Sequence, residues 1–212
     1  MKSKRRLLKE SRLYLIVDKK ISGRRPISDI VDKIKYCGID LIQLRDKESK
    51  KEDILKEAFI LQKLLLHTKT LFIVNDYLDV AKIVGSDGLH LGQLDTSIEL
   101  ARGILGPDKI IGVSCHNLKQ ALAAQKRGAD YIGIGPIFPT PTKPEIKKGI
   151  GLSLIKELRA KIKIPFFVIG NVNPNSIDKI LLFGAKRLAI CRAILQAKDI
   201  SLAAKYFYNK LH

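Results

Sequence analysis

A short apolar run followed by a longer amphipathic stretch recurs eight times along this chain, and no other feature restricts its fold as much. The apolar runs are 13–17, 40–44, 71–74, 88–91, 109–113, 131–134, 165–169 and 187–190. A run such as Leu71, Phe72, Ile73 and Val74 has no polar alternate position, which suits a strand buried on both faces of a parallel sheet. The stretches between runs read as helices. Several stop at a glycine just before the next strand, as in Tyr36-Cys37-Gly38-Ile39-Asp40, Val84-Gly85-Ser86-Asp87, Arg127-Gly128-Ala129-Asp130 and Phe183-Gly184-Ala185-Lys186. Repeated βα units of this kind predict a parallel sheet. Eight of them in about 200 residues predict a compact (β/α)8 TIM barrel, with a doubly wound open sheet as the alternative. No linker interrupts the series, so residues 13–212 read as one barrel domain behind a basic N-terminal extension, residues 1–12.

Composition narrows the setting. A chain of 212 residues buries roughly 70% of its unfolded surface, enough for one core. No apolar run approaches the 18 or so residues that cross a bilayer, and the opening MKSKRRLLKESR has no apolar signal segment, so a soluble, cytoplasmic protein with no membrane partner is expected. Cys37, Cys115 and Cys191 lack zinc or CxxC spacing and read as buried free thiols. The net charge of +18 raises nucleic acid as a partner. Against it, Lys and Arg are spread through every segment, and no nucleic-acid motif interleaves them with aromatics. A lysine-rich solvated surface accounts for most of the excess. Oligomeric state is left open, a homo-oligomer included.

In such a barrel the reacting groups lie at strand C-terminal ends and in the loops that follow. The candidates are then Asp18; Gln43, Arg45 and Lys47; Asn75 and Asp76; His90 and Asp95; Ser114; the loop from Gly135; Asn171; and Cys191 with Arg192. Asp76 closes LFIVND and Asp95 closes DGLHLGQLD. If their strands are parallel neighbours about 4.8 Å apart, both carboxylates reach one rim. Two carboxylates plus a substrate phosphate are the usual way a protein holds Mg2+, which keeps several waters. In LIQLRDK, period two puts Gln43, Arg45 and Lys47 on one face, with Leu44 and Asp46 between them. With no buried acid as a near neighbour, these cations read as an anion site rather than a solvated loop. The segment GIGPIFPTPTKPEIKKGIG is long for a βα connection, and Pro136, Pro139, Pro141 and Pro144 reduce the entropy lost on fixing it. Thr140, Thr142 and Lys143 form its polar tip and suit a phosphate. The turns at Gly170-Asn171 and Cys191-Arg192 sit where these barrels build a phosphate cup. Cys115-His116 does not make a thiolate-imidazole pair, because adjacent residues do not pair alone and no orienting acid is evident. His90 points inward, either to core hydrogen bonds or to a ligand.

The ordered set QLRDK, VND, DGLHLGQLD, GVSCH, GADYIGIGPIFPTPTK and IPFFVIGNV resembles the thiamine phosphate synthase family over nearly the whole chain after the basic extension. The resemblance implies a (β/α)8 barrel that joins a hydroxymethylpyrimidine diphosphate to a thiazole phosphate, giving thiamine phosphate and pyrophosphate, with decarboxylation when the thiazole carries a carboxylate. It implies that Gln43, Leu44, Arg45, Asp46, Lys47, Asn75, Ser114 and Lys143 hold the pyrimidine diphosphate. Asp76 and Asp95 would ligate Mg2+. Thr140, Pro141 and Thr142 would meet the thiazole phosphate, with Asn171, Cys191 and Arg192 completing its cup. Arg45, Lys47 and Lys143 would stabilise the departing pyrophosphate. Two departures concern the thiazole side: Gly170-Asn171 stands where the family often has Gly-Gly, and Ala189 where a Ser is common. Asn tolerates positive φ, so the turn can survive. The rival readings are a thiazole tautomerase-like barrel, a sugar-phosphate isomerase or epimerase, and a basic nucleic-acid binder. The first does not need the Asp76 and Asp95 pair with Lys143, and the second wants an inward base that the candidates do not offer.

Overall fold

The computed structural model describes residues 3–140 and 149–212. Its eight strands are β1 (Leu13–Asp18), β2 (Leu41–Arg45), β3 (Leu71–Asn75), β4 (Gly88–Leu91), β5 (Ile110–Cys115), β6 (Tyr131–Ile134), β7 (Phe166–Val168) and β8 (Leu188–Ile190). Each falls on one of the predicted apolar runs. They pair in parallel and in chain order, and β8 returns to β1 through Leu13 opposite Leu188, so the sheet closes into the expected barrel and not the open alternative.

Period two explains why the strands are nearly continuous in apolar residues. One alternation faces inward: Tyr14, Ile16, Leu41, Leu71, Ile73, Ile110, Tyr131, Phe167 and Ala189 make the inner core. The other, with Leu13, Leu15, Val17, Ile42, Leu44, Phe72 and Val74, packs under the helices. Gly112 holds an inward position of β5 because a Cβ there would lie 2.0 Å from the Tyr131 ring. The missing side chain lets that ring lie across the barrel.

At the strand N-terminal rim, the Gly-x-Asp turns hold the strands in register. Asp40 accepts the N–H groups of Arg12 and Leu13 at 2.7 and 2.9 Å, Asp87 that of Phe72 at 2.9 Å, and Asp130 that of Ile111 at 2.8 Å. The extension is itself folded over this rim. Ser3 caps helix α1 (Lys4–Glu10), and Leu8, 2% exposed, joins the inner core. Lys4 pairs with Asp87 at 2.9 Å and Arg5 with Asp130 at 3.0 Å, while Arg187 donates to the Lys9 carbonyl at 2.8 Å. Part of the basic excess is therefore neutralised by acids of the barrel. Among the described residues, no helix is long and apolar enough to cross a membrane.

Candidate active site

The opposite, C-terminal rim surrounds a cavity of about 360 Å³ that opens at the strand ends. Gln43, Arg45, Asn75, Ser114, Thr140, Asn171, Cys191 and Arg192 all line it, so the structure brings together most of the residues singled out in sequence. A cavity of this size suits a small ligand. Leu44 and Asp46 do not join them. Leu44 packs in the outer core, and Asp46 turns back to accept the N–H groups of Glu48 and Ser49, each at 2.9 Å. Pro141, Thr142 and Lys143 lie outside the described residues. The feet of their loop are fixed: Ile150 N–H donates to the Pro136 carbonyl at 2.8 Å and Gly151 N–H to that of Ile137 at 3.2 Å.

The cations of β2 correct one expectation. They do have acids as neighbours, supplied from other strands. Arg45 forms a short ion pair with Asp18, the last residue of β1, which is buried. Asp18 also caps helix α2 (Lys19–Ser22) by accepting from Ile21 N–H at 3.1 Å, so its position is set independently of Arg45. Lys47, half exposed beyond the strand, reaches Asp76 at 3.0 Å. Neighbouring parallel strands place the acid and the base together, and spacing within one motif gave no sign of it. The pairing does not fill Arg45's fork of five donors, which leaves others for a ligand.

Asp76 follows β3 in a left-handed conformation, φ 63°, with its N–H donated to the His90 carbonyl at 2.9 Å. This is rare for a residue with a Cβ, though Asp adopts it more readily than most. Asp95 sits in the turn after β4 and accepts from Gly92 N–H at 2.6 Å. The two carboxylates lie within hydrogen-bonding reach. Burial, and then the Asp95 carboxylate, push the Asp76 carboxyl above its ordinary range against the pull of Lys47. Among the described residues no cluster of three or more His, Cys, Asp or Glu is placed to enclose a metal. A carboxylate pair open on one side still fits a hard cation that completes its shell with water and phosphate oxygens.

Turns after β7 and β8 form the other wall. Gly170 (φ 111°) and Asn171 (φ 53°) are both left-handed, so Asn does adopt the conformation the turn demands. A Cβ at Gly170 would lie 2.4 Å from Pro136 Cα, which fixes glycine there. Cys191 is half-buried and lines the cavity, unlike Cys37 and Cys115, which are buried. Burial, with the Asp18 charge nearby, pushes the Cys191 thiol up to about 12, and burial does the same for Cys115. Neither is poised as a nucleophile. Cys115 faces the helices, which agrees with setting the Cys115-His116 pair aside.

Three cavity residues escaped the sequence reading of roles. Tyr14 and His116 were not considered as ligand contacts, and Asp18 was only a strand-end candidate. His90 turns out to serve both suggested ends: it lines the cavity and bonds Tyr131 OH and Ser114 Oγ, each at 2.9 Å. His116 Nδ1 lies 2.5 Å from the Gly135 carbonyl. The signal for Tyr14 was its inward register in β1.

A family model described as thiamine monophosphate synthase matches residues 13–194. The thiamine-phosphate synthase of Shouchella clausii is 39% identical over 93% of this chain and 95% of its own length. That of Methanosarcina barkeri is 38% identical over 97% and 92%. In three dimensions, a thiamine phosphate pyrophosphorylase from Pyrococcus furiosus superposes with a TM-score of 0.86 at 32% identity, covering 98% of this chain and 96% of its own. A 3-hexulose-6-phosphate synthase, at 17% identity and a TM-score of 0.67, shares the fold alone.

Proposed function

The chain belongs to the thiamine monophosphate synthase family, and from that premise we propose that it joins a hydroxymethylpyrimidine diphosphate to a thiazole phosphate, releasing pyrophosphate and thiamine phosphate. The observation that carries the reading is convergence: residues from QLRDK, VND, GVSCH, the proline-rich loop and the last two turns meet on one cavity. Gln43 and Asn75 hold the pyrimidine ring, and Arg45, Lys47 and Ser114 the diphosphate. Lys143 belongs to the same group by motif. Thr140, Asn171, Cys191 and Arg192 take the thiazole phosphate, together with Pro141 and Thr142. Leu44 and Asp46 contribute backbone at most, since their side chains turn away from the cavity.

In the reaction, the bond from the pyrimidine methylene to the diphosphate oxygen loosens, and the thiazole nitrogen adds to the methylene. The ring's amino group spreads the positive charge left behind, so no strong base is required of the protein. Arg45, fixed in direction by Asp18, and Lys47 offset the charge that grows on the leaving oxygens. Asp76 and Asp95 are the residues that would hold Mg2+, which supplies further positive charge to the diphosphate when bound. Lys47 stands in for part of that charge beside Asp76. A soluble, cytoplasmic enzyme working on small phosphorylated molecules fits this chemistry.

The test is pyrophosphate release from the pyrimidine diphosphate with thiazole phosphate, titrated with magnesium. Release that depends on both substrates and on the metal is expected. No product at any magnesium concentration would refute the proposal.

A further inference from the structure

Five polar side chains cross the barrel interior in one hydrogen-bonded line. Gln43 Nε2 lies 2.6 Å from the Tyr14 hydroxyl, which lies 2.8 Å from that of Tyr131. Tyr131 OH is 2.9 Å from His90 Nδ1, and His90 Nε2 is 2.9 Å from Ser114 Oγ. Gln43 and Ser114, the two ends, line the cavity, as do Tyr14 and His90 between them. The middle is buried, with Tyr14 1% and Tyr131 0% exposed. A hydroxyl proton there has no bulk water to donate to, so each must point at an acceptor within the line.

With a neutral imidazole, two proton arrangements donate across every link of the line. When Gln43 donates to Tyr14, Tyr14 must donate to Tyr131 and Tyr131 to His90 Nδ1. The imidazole then carries its proton on Nε2 and donates to Ser114, whose own proton turns toward the cavity. The Gln43 amide keeps nearly the same shape when turned over, and then every link reverses. Ser114 donates to Nε2, Nδ1–H to Tyr131, Tyr131 to Tyr14, and Tyr14 to Gln43 Oε1. With a neutral imidazole, any mixture sets two protons, or two lone pairs, against each other at one link. Reversal needs an amide turn, hydroxyl rotations and a change of imidazole tautomer, with no net gain or loss of protons.

We propose that Tyr14, Tyr131 and His90 are positioning residues that couple what Gln43 offers a ligand to what Ser114 offers it. In the first arrangement Gln43 presents an acceptor and Ser114 a donor; in the second the roles are exchanged. A ligand with an amino group at Gln43 and an anionic oxygen at Ser114 matches the first at both ends. A ligand with a carbonyl in place of the amino group turns the line over and sets Ser114 lone pairs against the phosphate. The line thus reads one end of the substrate through the other. This rests on the function proposed above.

Calorimetric binding of the aminopyrimidine diphosphate, and of its analogue with a carbonyl replacing the amino group, tests the coupling. The wild-type protein should prefer the amino ligand by about tenfold or more, within the usual range for coupled sites. Tyr131→Phe breaks the line and should reduce that preference to within about threefold, as should Ser114→Ala. If Tyr131→Phe fails to fold, Tyr14→Phe breaks the next link. Nitrogen NMR of His90 adds a signature that a merely structural role would not set: an Nε2–H tautomer with the amino ligand bound. A preference that survives in the phenylalanine variants, or an Nδ1–H tautomer with that ligand, overturns the coupling. Wild-type pyrophosphate release is measured alongside. Its absence counts against the function, whereas release with an uncoupled preference counts against the line alone.

Discussion

Three aspartates on each rim of the barrel are held in opposite ways. At the N-terminal rim, Asp40, Asp87 and Asp130 each accept a backbone N–H from the preceding strand, and α1 adds Lys4 and Arg5 above two of them. At the C-terminal rim, Asp18 and Asp95 also take a backbone N–H, but each has a further commitment, to Arg45 and to a second carboxylate. Asp76 meets the Lys47 ammonium and Asp95 from a left-handed backbone. The same residue type is thus used for cohesion at one rim and left with unmet electrostatic demand at the other. On the proposed function, that demand costs stability in the free protein and is met when a cation and an anion bind.

The sharpest way to break this comparison is Asp76→Asn. It should lower turnover at least about a thousandfold, roughly 4 kcal/mol of barrier, measured as pyrophosphate release at saturating magnesium. Thermal stability without metal should stay level or rise. The sign follows from the raised carboxyl: a folded-state value above the unfolded one gives stability that is present at low pH and lost as pH rises through the folded value. Above the folded value that loss is complete, and Asn removes it while tolerating the same backbone. A clear drop in melting temperature would make Asp76 a cohesive residue and erase the contrast.

At the other rim, Asp130→Asn should do the reverse. It leaves Arg5 and Arg102 without their acid and weakens the cap on Ile111. Breaking such a partly buried network should cost about 3 kcal/mol in urea unfolding, with kcat within about twofold of the parent. A large kcat effect at unchanged stability would show that the two rims are not separate in function. Leu8→Ala is the milder probe. Removing its buried side chain from the inner core should cost about 2–3 kcal/mol, again with turnover unchanged well below the melting point. No measurable loss would mean that α1 only rests on the barrel.

Much of the fold was legible because eight strands buried on both faces cannot hide their apolar runs, and the Gly-x-Asp turns mark where β2, β4 and β6 begin. Of the site, the residues carried on strand ends were legible, since register alone aims Gln43, Asn75 and Ser114 at the mouth. What stayed hidden depends on pairs from different strands. Asp18 meets Arg45 across 27 positions, and Tyr14 meets Tyr131 across 117. No local period encodes either. The place of the basic extension was hidden for a related reason: in sequence it is a charge run, and its one buried leucine acquires meaning only against acids and apolar residues far along the chain.

Because α1 folds over the other rim and sets Leu8 in the inner core, the cavity of the described residues opens at the strand C-terminal ends. Gln43 lies deep, 1% exposed, whereas Asn171 stands at the surface of the mouth. On the proposed function, a pyrimidine held at Gln43 is seated before a thiazole phosphate fills the turns above it. The joined product leaves outward past those same turns. On that reading, depth alone sets the order of arrival and departure.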